Sequence, residues 1–211
     1  MTEVHSLSAD ATLRPHGETD LGAKVASRIC HDLANPLGAI ANGLELLLMT
    51  GLEPTPELSL LQDSVASASA RIRWFRLAFG PAGPQRVGRA EVTDILRAIS
   101  RGTRLSYDWT VQGDAPRGEV KAVFLLLQCL EAALPLGGRL TISRSDDAWQ
   151  VTAHSSRLRF DPSLWASLTS PEVPSPDTPA QVQFALLPQA LAELGRALQV
   201  EAGTDQIRAR F

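Results

Sequence analysis

A chain of 211 residues, 44% hydrophobic and 20% charged, is long enough for one or two compact domains and ordinary in composition for a globular protein. Its formal net charge of -3 gives neither nucleic acid nor an anionic membrane a footing as the main partner. No stretch approaches the roughly 18 apolar residues of a membrane span. The opening MTEVHSLSADATLRPHGETD has no apolar signal core, and Cys30 and Cys129 sit in apolar helical stretches that suit a reducing compartment; a soluble cytoplasmic protein is expected.

Residues 1–20 read as a flexible tail. From Leu21 to Met49, Val25, Ile29, Leu33, Leu37, Ile40, Leu44 and Leu47 recur every three or four positions, which is one face of a long helix. TGLEPTPE breaks it with Gly51, Pro54 and Pro56. A second helix carries a heptad-like seam of Leu58, Leu61, Val65, Ala68, Ile72, Phe75 and Phe79, and FGPAGP ends it. A long helical hairpin over 21–80 with no later partner for its seam commonly dimerises into a four-helix bundle, so a homodimer is expected.

After Arg86 the pattern changes. VTDILRAIS reads as a helix, RLSYDWTV alternates as a strand, and 119–134 form a strongly apolar helix. GGRLTISR and AWQVTAHS form a hairpin pattern, Pro171 to Pro179 a loop, 180–198 a helix, with two short strands closing the chain. The whole is an α+β protein: a helical hairpin followed over 86–211 by an α/β sandwich, a small mixed sheet with helices on one face.

The informative segment is SRICHDLANPLGAIANGLELL. At about 100° per residue, with the core stripe placed at Leu33, His31 falls about 160° away, on the solvent side. The same outer stripe holds Lys24, Arg28, Asn35, Gly38, Asn42 and Glu45, all polar or glycine. A histidine that accepts phosphate must be neutral and exposed, with one ring nitrogen free to attack. Asp32 is placed to accept from Nδ1–H and leave Nε2 as the nucleophile. Asn35, one turn on, can orient water or phosphoryl oxygens. Pro36 removes the helical hydrogen bond to the Asp32 carbonyl, so the helix is expected to bend or loosen there. Gly38, Asn42 and Glu45 continue down the helix as a docking face. With the turn centred near Glu53, His31 lies 22 residues before it, so residue 75 should be level with it on the second helix. That puts Arg71, Arg73, Trp74 and Arg76 around the histidine, where guanidinium groups would attract an acidic partner surface. Each of these residues also has a plain reading as solvated helix surface, and helix C-termini favour cations anyway.

The run H31-D32-L33-A34-N35-P36-L37 resembles the H-box of histidine-kinase dimerisation and phosphotransfer domains. Through ASRICHDLANPLGAIANGLELL and LLLQCLEAALPLGGRLTI the chain is most similar to the ChpT-type histidine phosphotransferases. The resemblance implies a dimeric bundle flanked by domains shaped like the kinase ATP-binding domain but degenerate. It further implies a phosphorelay role in the cell cycle: phosphate taken from the receiver of a hybrid histidine kinase (CckA-like) and passed to response regulators (CtrA-like and CpdR-like), with Mg²⁺ carried by the partner receiver. His31, Asp32 and Asn35 are the candidate catalytic residues; Arg28, Gly38, Asn42, Glu45, Arg71, Arg73 and Trp74 are the candidate partner-binding ones.

The sequence departs from an active kinase. The stretch in place of the asparagine that holds Mg²⁺ reads QCLEAALP, with Glu131 before Ala132, and the asparagines of the chain are Asn35 and Asn42. No glycine lies between Gly138 and Gly195 to form an adenine loop. No cofactor and no metal are expected on this chain, since its histidines are scattered and neither cysteine has a C-x-x-C neighbour. His154 is expected at a strand end in a structural role. Two alternatives stand beside phosphotransfer: an ATP-dependent histidine kinase with an atypical nucleotide site, and a non-catalytic dimeric scaffold.

Overall fold

The computed structural model describes residues 16–51, 53, 55–169 and 178–211. Helix α1 spans His16–Met49, so it starts before the expected boundary at residue 21, and the remainder of the expected tail, 1–15, lies outside the described residues. It runs unbroken through Pro36. Gly51, at φ +88°, takes the left-handed conformation that stops it, which a side chain would resist. Helix α2 spans Pro56–Ala78. Its start follows from Thr55, whose hydroxyl accepts the Leu58 N–H at 3.2 Å, and from Pro56, whose missing N–H is no loss in the first turn.

The two helices meet along a stripe, rich in small residues, that shares only Leu37 and Leu44 with the expected face. Ala23, Ala26, Ser27, Cys30, Leu37, Ala41, Leu44 and Leu48 are partly or fully covered. Val25, Ile29, Leu33, Ile40 and Leu47 are instead 48–54% exposed. Small side chains let the helices close on each other, and the branched ones are left facing outward. Helix α2 likewise has two faces. Its seam residues Val65, Ala68 and Ile72 are half-buried, while Ala70, Trp74, Leu77 and Ala78 are fully buried against the rest of the chain.

The second part opens with β1 (Arg86–Val87) and α3 (Arg89–Ser100), followed by β2 (Leu105–Trp109) and β3 (Ala115–Pro116). Then come α4 (Arg117–Ala132), β4 (Gly138–Ser145), β5 (Ala148–His154), α5 (Pro162–Ala166), α6 (Val182–Glu193), β6 (Gln199–Ala202) and β7 (Gln206–Arg210). The sheet order is β2-β4-β5-β7-β6, parallel between β2 and β4 and antiparallel elsewhere, as a mixed sheet requires when a helix crosses between its parallel pair. Leu140, Ile142, Trp149, Val151, Ala153, Ile207 and Ala209 point to one fully buried face. Helix α4, apolar nearly all round, fills the space between this face and α2 and α6. The helix expected over 180–198 is shorter, because Gly195 at φ +65° and the Arg196 N–H to the Leu191 carbonyl, 2.9 Å, close it in a glycine cap. The β1–β3 pair and α5 were not expected. Most of the Pro171–Pro179 loop lies outside the described residues.

One charged group is buried deep in this part. Glu119, in the first turn of α4, accepts from Trp149 Nε1 at 2.7 Å and faces Arg144 at 3.3 Å and Arg196 at 3.5 Å. A buried carboxylate held by so many donors ties α4 to β4, β5 and the segment after α6.

Candidate functional site

His31 stands on the outer side of α1 with 71% of its side chain exposed. Asp32 next to it is held on both oxygens: Oδ2 accepts from Arg28 Nε at 2.7 Å, and Oδ1 lies 3.3 Å from His31 Nδ1. The spacing follows from the helix, since Arg28 and Asp32 are four apart and therefore on one face. The Arg28 hydrogen bond first, and the His31 contact second, hold the Asp32 carboxyl below its usual range. Asp32 is therefore a carboxylate at neutral pH, fit to hold the Nδ1–H tautomer. In that tautomer Nε2 keeps its lone pair and points away from Asp32 into solvent.

The rest of the outer stripe is open. Arg28, Asn35, Gly38, Asn42 and Glu45 are all exposed, and a Cβ added at Gly38 would meet nothing within 4 Å. A partner can lie along this side without displacing any packed group. Cys30, adjacent in sequence, faces inward; burial pushes its thiol up and Arg76 only partly opposes this, so it does not compete as a nucleophile.

The second helix is level with His31 where expected, but its side chains divide differently. Leu33 and Leu37 of α1 line one groove with Ala68 and Ile72 of α2, in the register expected from the turn, and Arg76 reaches Glu91 of α3 at 3.8 Å. Trp74 is not a partner-binding residue. It is 0% exposed and packs on Phe124 at 4.7 Å and Tyr107 at 5.7 Å between ring centroids, because the α2 face it occupies docks the hairpin onto the second part of the chain. Arg73 is half-buried. Arg71 turns away from the outer stripe: its stem borders an apolar groove with Leu33, Pro36, Leu37 and Ile40, and its guanidinium faces Glu131 at 4.0 Å. Sequence reasoning noticed Glu131 only as a neighbour of the missing kinase asparagine. It is mostly buried and accepts from the Tyr107 hydroxyl. The signal for this contact, a tyrosine and a glutamate 24 residues apart, has no local pattern.

Among the described residues no three His, Cys, Asp or Glu side chains gather as a metal site. His154 ends β5 and is exposed at the rim of an open hollow lined by Leu136, Gly137, Gly138, Ser155, Ser156 and Asp205. No described helix is long and apolar enough to cross a membrane.

Residues 89–206 match the family model for the C-terminal domain of histidine phosphotransferases. The protein phosphotransferase ChpT of Brucella abortus (strain 2308) is 31% identical over 197 residues, covering 89% of this chain and 93% of its own. A solved structure of a bacterial phosphotransferase superposes with a TM-score of 0.64 at 29% identity, covering 98% of both chains.

Proposed function

The chain belongs to the ChpT-type histidine phosphotransferase family, and from that premise we propose that His31 is the residue that carries the phosphoryl group. A phosphotransfer role in a phosphorelay comes with the family. The finer reading is that a hybrid-kinase receiver delivers phosphate from its aspartate and that response regulators of the cell cycle, CtrA-like and CpdR-like, take it on. The observation that supports His31 as the carrier is its placement: outward, with its Nδ1 beside a carboxylate that Arg28 keeps ionised.

In this mechanism His31 Nε2 attacks phosphorus in line, an N–P bond forms as the P–O bond to the partner aspartate breaks, and the leaving electron pair stays on that carboxylate. The Nδ1 proton is retained against Asp32, so the imidazolium-like charge that develops on the ring is offset at once. Asn35, one turn away on the same face, offers an amide to the phosphoryl oxygens or to a water. Mg²⁺ is assigned to the partner receiver, as the family resemblance implies. Phosphohistidine is itself a high-energy species, so flow in either direction follows from the same geometry.

The branched residues left exposed on α1 and α2 support a homodimer formed by packing two hairpins into a four-helix bundle. The test of the whole reading is to mix the chain with a phosphorylated receiver domain. Acid-labile, base-stable label on this chain is the expected outcome, and its absence rejects the reading.

No ATP binding is proposed, on the absence of the kinase asparagine and glycine loop and on Glu131 being spent on Tyr107 and Arg71. Titration calorimetry with Mg-ATP is expected to register no heat of binding at micromolar protein. Micromolar affinity, together with label from ATP alone, would restore the histidine-kinase alternative. Docking is proposed along Gly38, Asn42 and Glu45, which lie about 10–21 Å from His31 along the helix. Gly38→Arg is expected to raise the receiver concentration for half-maximal transfer at least tenfold, since transient interfaces are small and intolerant of a bulky central charge. An unchanged half-saturation point would place the receiver elsewhere.

A further inference from the structure

Domains joined within one chain move relative to one another unless their interface is large or specifically tied. Here the hairpin meets the α/β part through α2, whose Trp74 lies against Phe124 in the middle of α4. Ala70, Leu77 and Ala78 are buried on the same face of α2, and apolar packing of this kind is non-directional, setting distance more than angle. Polar ties sit at both ends of α4. At its first residue, Arg117 donates Nη2 to the Arg76 carbonyl at 2.9 Å and Nε to the Pro81 carbonyl at 3.0 Å, pinning the connection after α2. The chain is drawn so tight there that a Cβ on Gly80 would lie 2.4 Å from the Arg76 oxygen. At the other end, Glu131 faces Arg71 of α2 and accepts from Tyr107 of β2. These ties are separated by about 21 Å along α4, on either side of the tryptophan contact.

Glu131 is a costly way to fill that position. Only 19% of its side chain is exposed, and burial pushes its carboxyl up, with the Tyr107 hydrogen bond and the Arg71 charge opposing. A leucine would pack there without desolvating a charge. What a carboxylate adds is direction: it accepts only where its lone pairs point and fixes angle as well as distance. Burial foremost, and then Glu131, push the Tyr107 phenol up, so its proton stays available for that bond. Arg71 extends the tie to the groove beside Pro36, in the segment that carries His31.

We propose that Glu131 is a positioning residue: bridging Arg71 of the hairpin and Tyr107 of the sheet, it fixes the α/β domain at one angle to His31, so that an incoming receiver meets both parts as a single rigid surface. The proposal rests on His31 being the phosphate carrier and adds what holds the docking surface in shape around it.

The experiment compares the full chain with Glu131→Gln, Tyr107→Phe and the double variant. Transfer from a phosphorylated receiver is followed against receiver concentration, and phosphoramidate serves as a small donor that needs no docking. Each single variant is expected to raise the half-saturation concentration about tenfold, with maximal rate and labelling by phosphoramidate unchanged. The double variant is expected to do no more than either single one, because both break the same tie. Amide hydrogen exchange is expected to quicken in residues 70–78 and 124–132 of both single variants. If Glu131→Gln fails to fold, Tyr107→Phe, which removes one oxygen, carries the test. Half-saturation within twofold of the parent, effects that multiply in the double variant, or unchanged exchange overturns the positioning role while the phosphotransfer reading stands. A parent chain that takes no label from receiver or from phosphoramidate overturns the phosphotransfer reading, and the positioning role with it.

Discussion

His31→Gln is expected to abolish phosphoryl acceptance outright while leaving the fold intact. Glutamine keeps a polar side chain of similar reach but has no nitrogen lone pair able to attack phosphorus, so the loss is of the nucleophile itself. The ring makes no packing contact that would leave a cavity: it is 71% exposed, and its polar contact is with Asp32 at 3.3 Å. Surface changes of this kind shift stability by no more than about 0.5 kcal/mol. Label transfer from a phosphorylated receiver and a thermal melt, run on the same preparation, read the two halves of the expectation. Label retained at a tenth of the parent level or more would move the phosphate to another residue. An unfolded variant would give His31 a structural role that its exposure contradicts.

The outer stripe of α1 was legible because it depends on one helix alone. Periodicity places Arg28, His31, Asn35, Gly38, Asn42 and Glu45 on one side, and all of them are exposed. The hairpin register was legible too, since counting from the turn put residue 75 level with His31, and Leu33 and Leu37 line one groove with Ala68 and Ile72. In the α/β part, alternation in RLSYDWTV and the paired runs on either side of Asp146 and Asp147 gave β2, β4 and β5, with β4 and β5 joined in register from Arg139–His154 to Ser145–Ala148. These readings rest on patterns within one helix, one hairpin or one pair of adjacent strands.

What failed was any judgement of which face of an element the rest of the fold covers. Helix α2 serves two interfaces, and its apolar residues spread over both faces, so a single seam drawn through Leu58, Leu61 and Val65 misassigns Trp74. The deeper face is marked by Ala70 and Ala78, which carry almost no hydrophobic signal of their own and are buried only because α3 and α4 lie on them. On α1 the reverse happened: the strongest apolar residues mark the uncovered side, and Cys30, 7% exposed, lies on the covered one. The buried acids were invisible for the same reason. Glu119 finds its donors at Arg144, Trp149 and Arg196, and Glu131 at Arg71 and Tyr107, separations that only the fold closes.

Ile40→Glu is expected to split the proposed dimer without unfolding the chain. In a single chain Ile40 is 50% exposed beside Leu33 and Leu37 in the apolar groove, so a carboxylate there is hydrated and harmless to the monomer. In a bundle of two hairpins the same position would be covered. Losing the burial of the remaining half of the side chain costs roughly 1 kcal/mol. Stranding a carboxylate in an apolar seam adds about 1–3 kcal/mol or more. A two-fold axis makes every substitution count twice, so the total is at least about 4 kcal/mol, or about a thousandfold in the dissociation constant. Sedimentation equilibrium at micromolar concentration is expected to give the parent chain twice the 22.7 kDa of one copy and the variant a single copy, with matching circular dichroism. Phosphate acceptance by the monomeric variant from phosphoramidate should persist, because His31, Arg28 and Asp32 all come from one helix of one chain. A parent chain that sediments as one copy, or a variant that stays paired, would mean that these branched residues of α1 are covered by something other than a second hairpin.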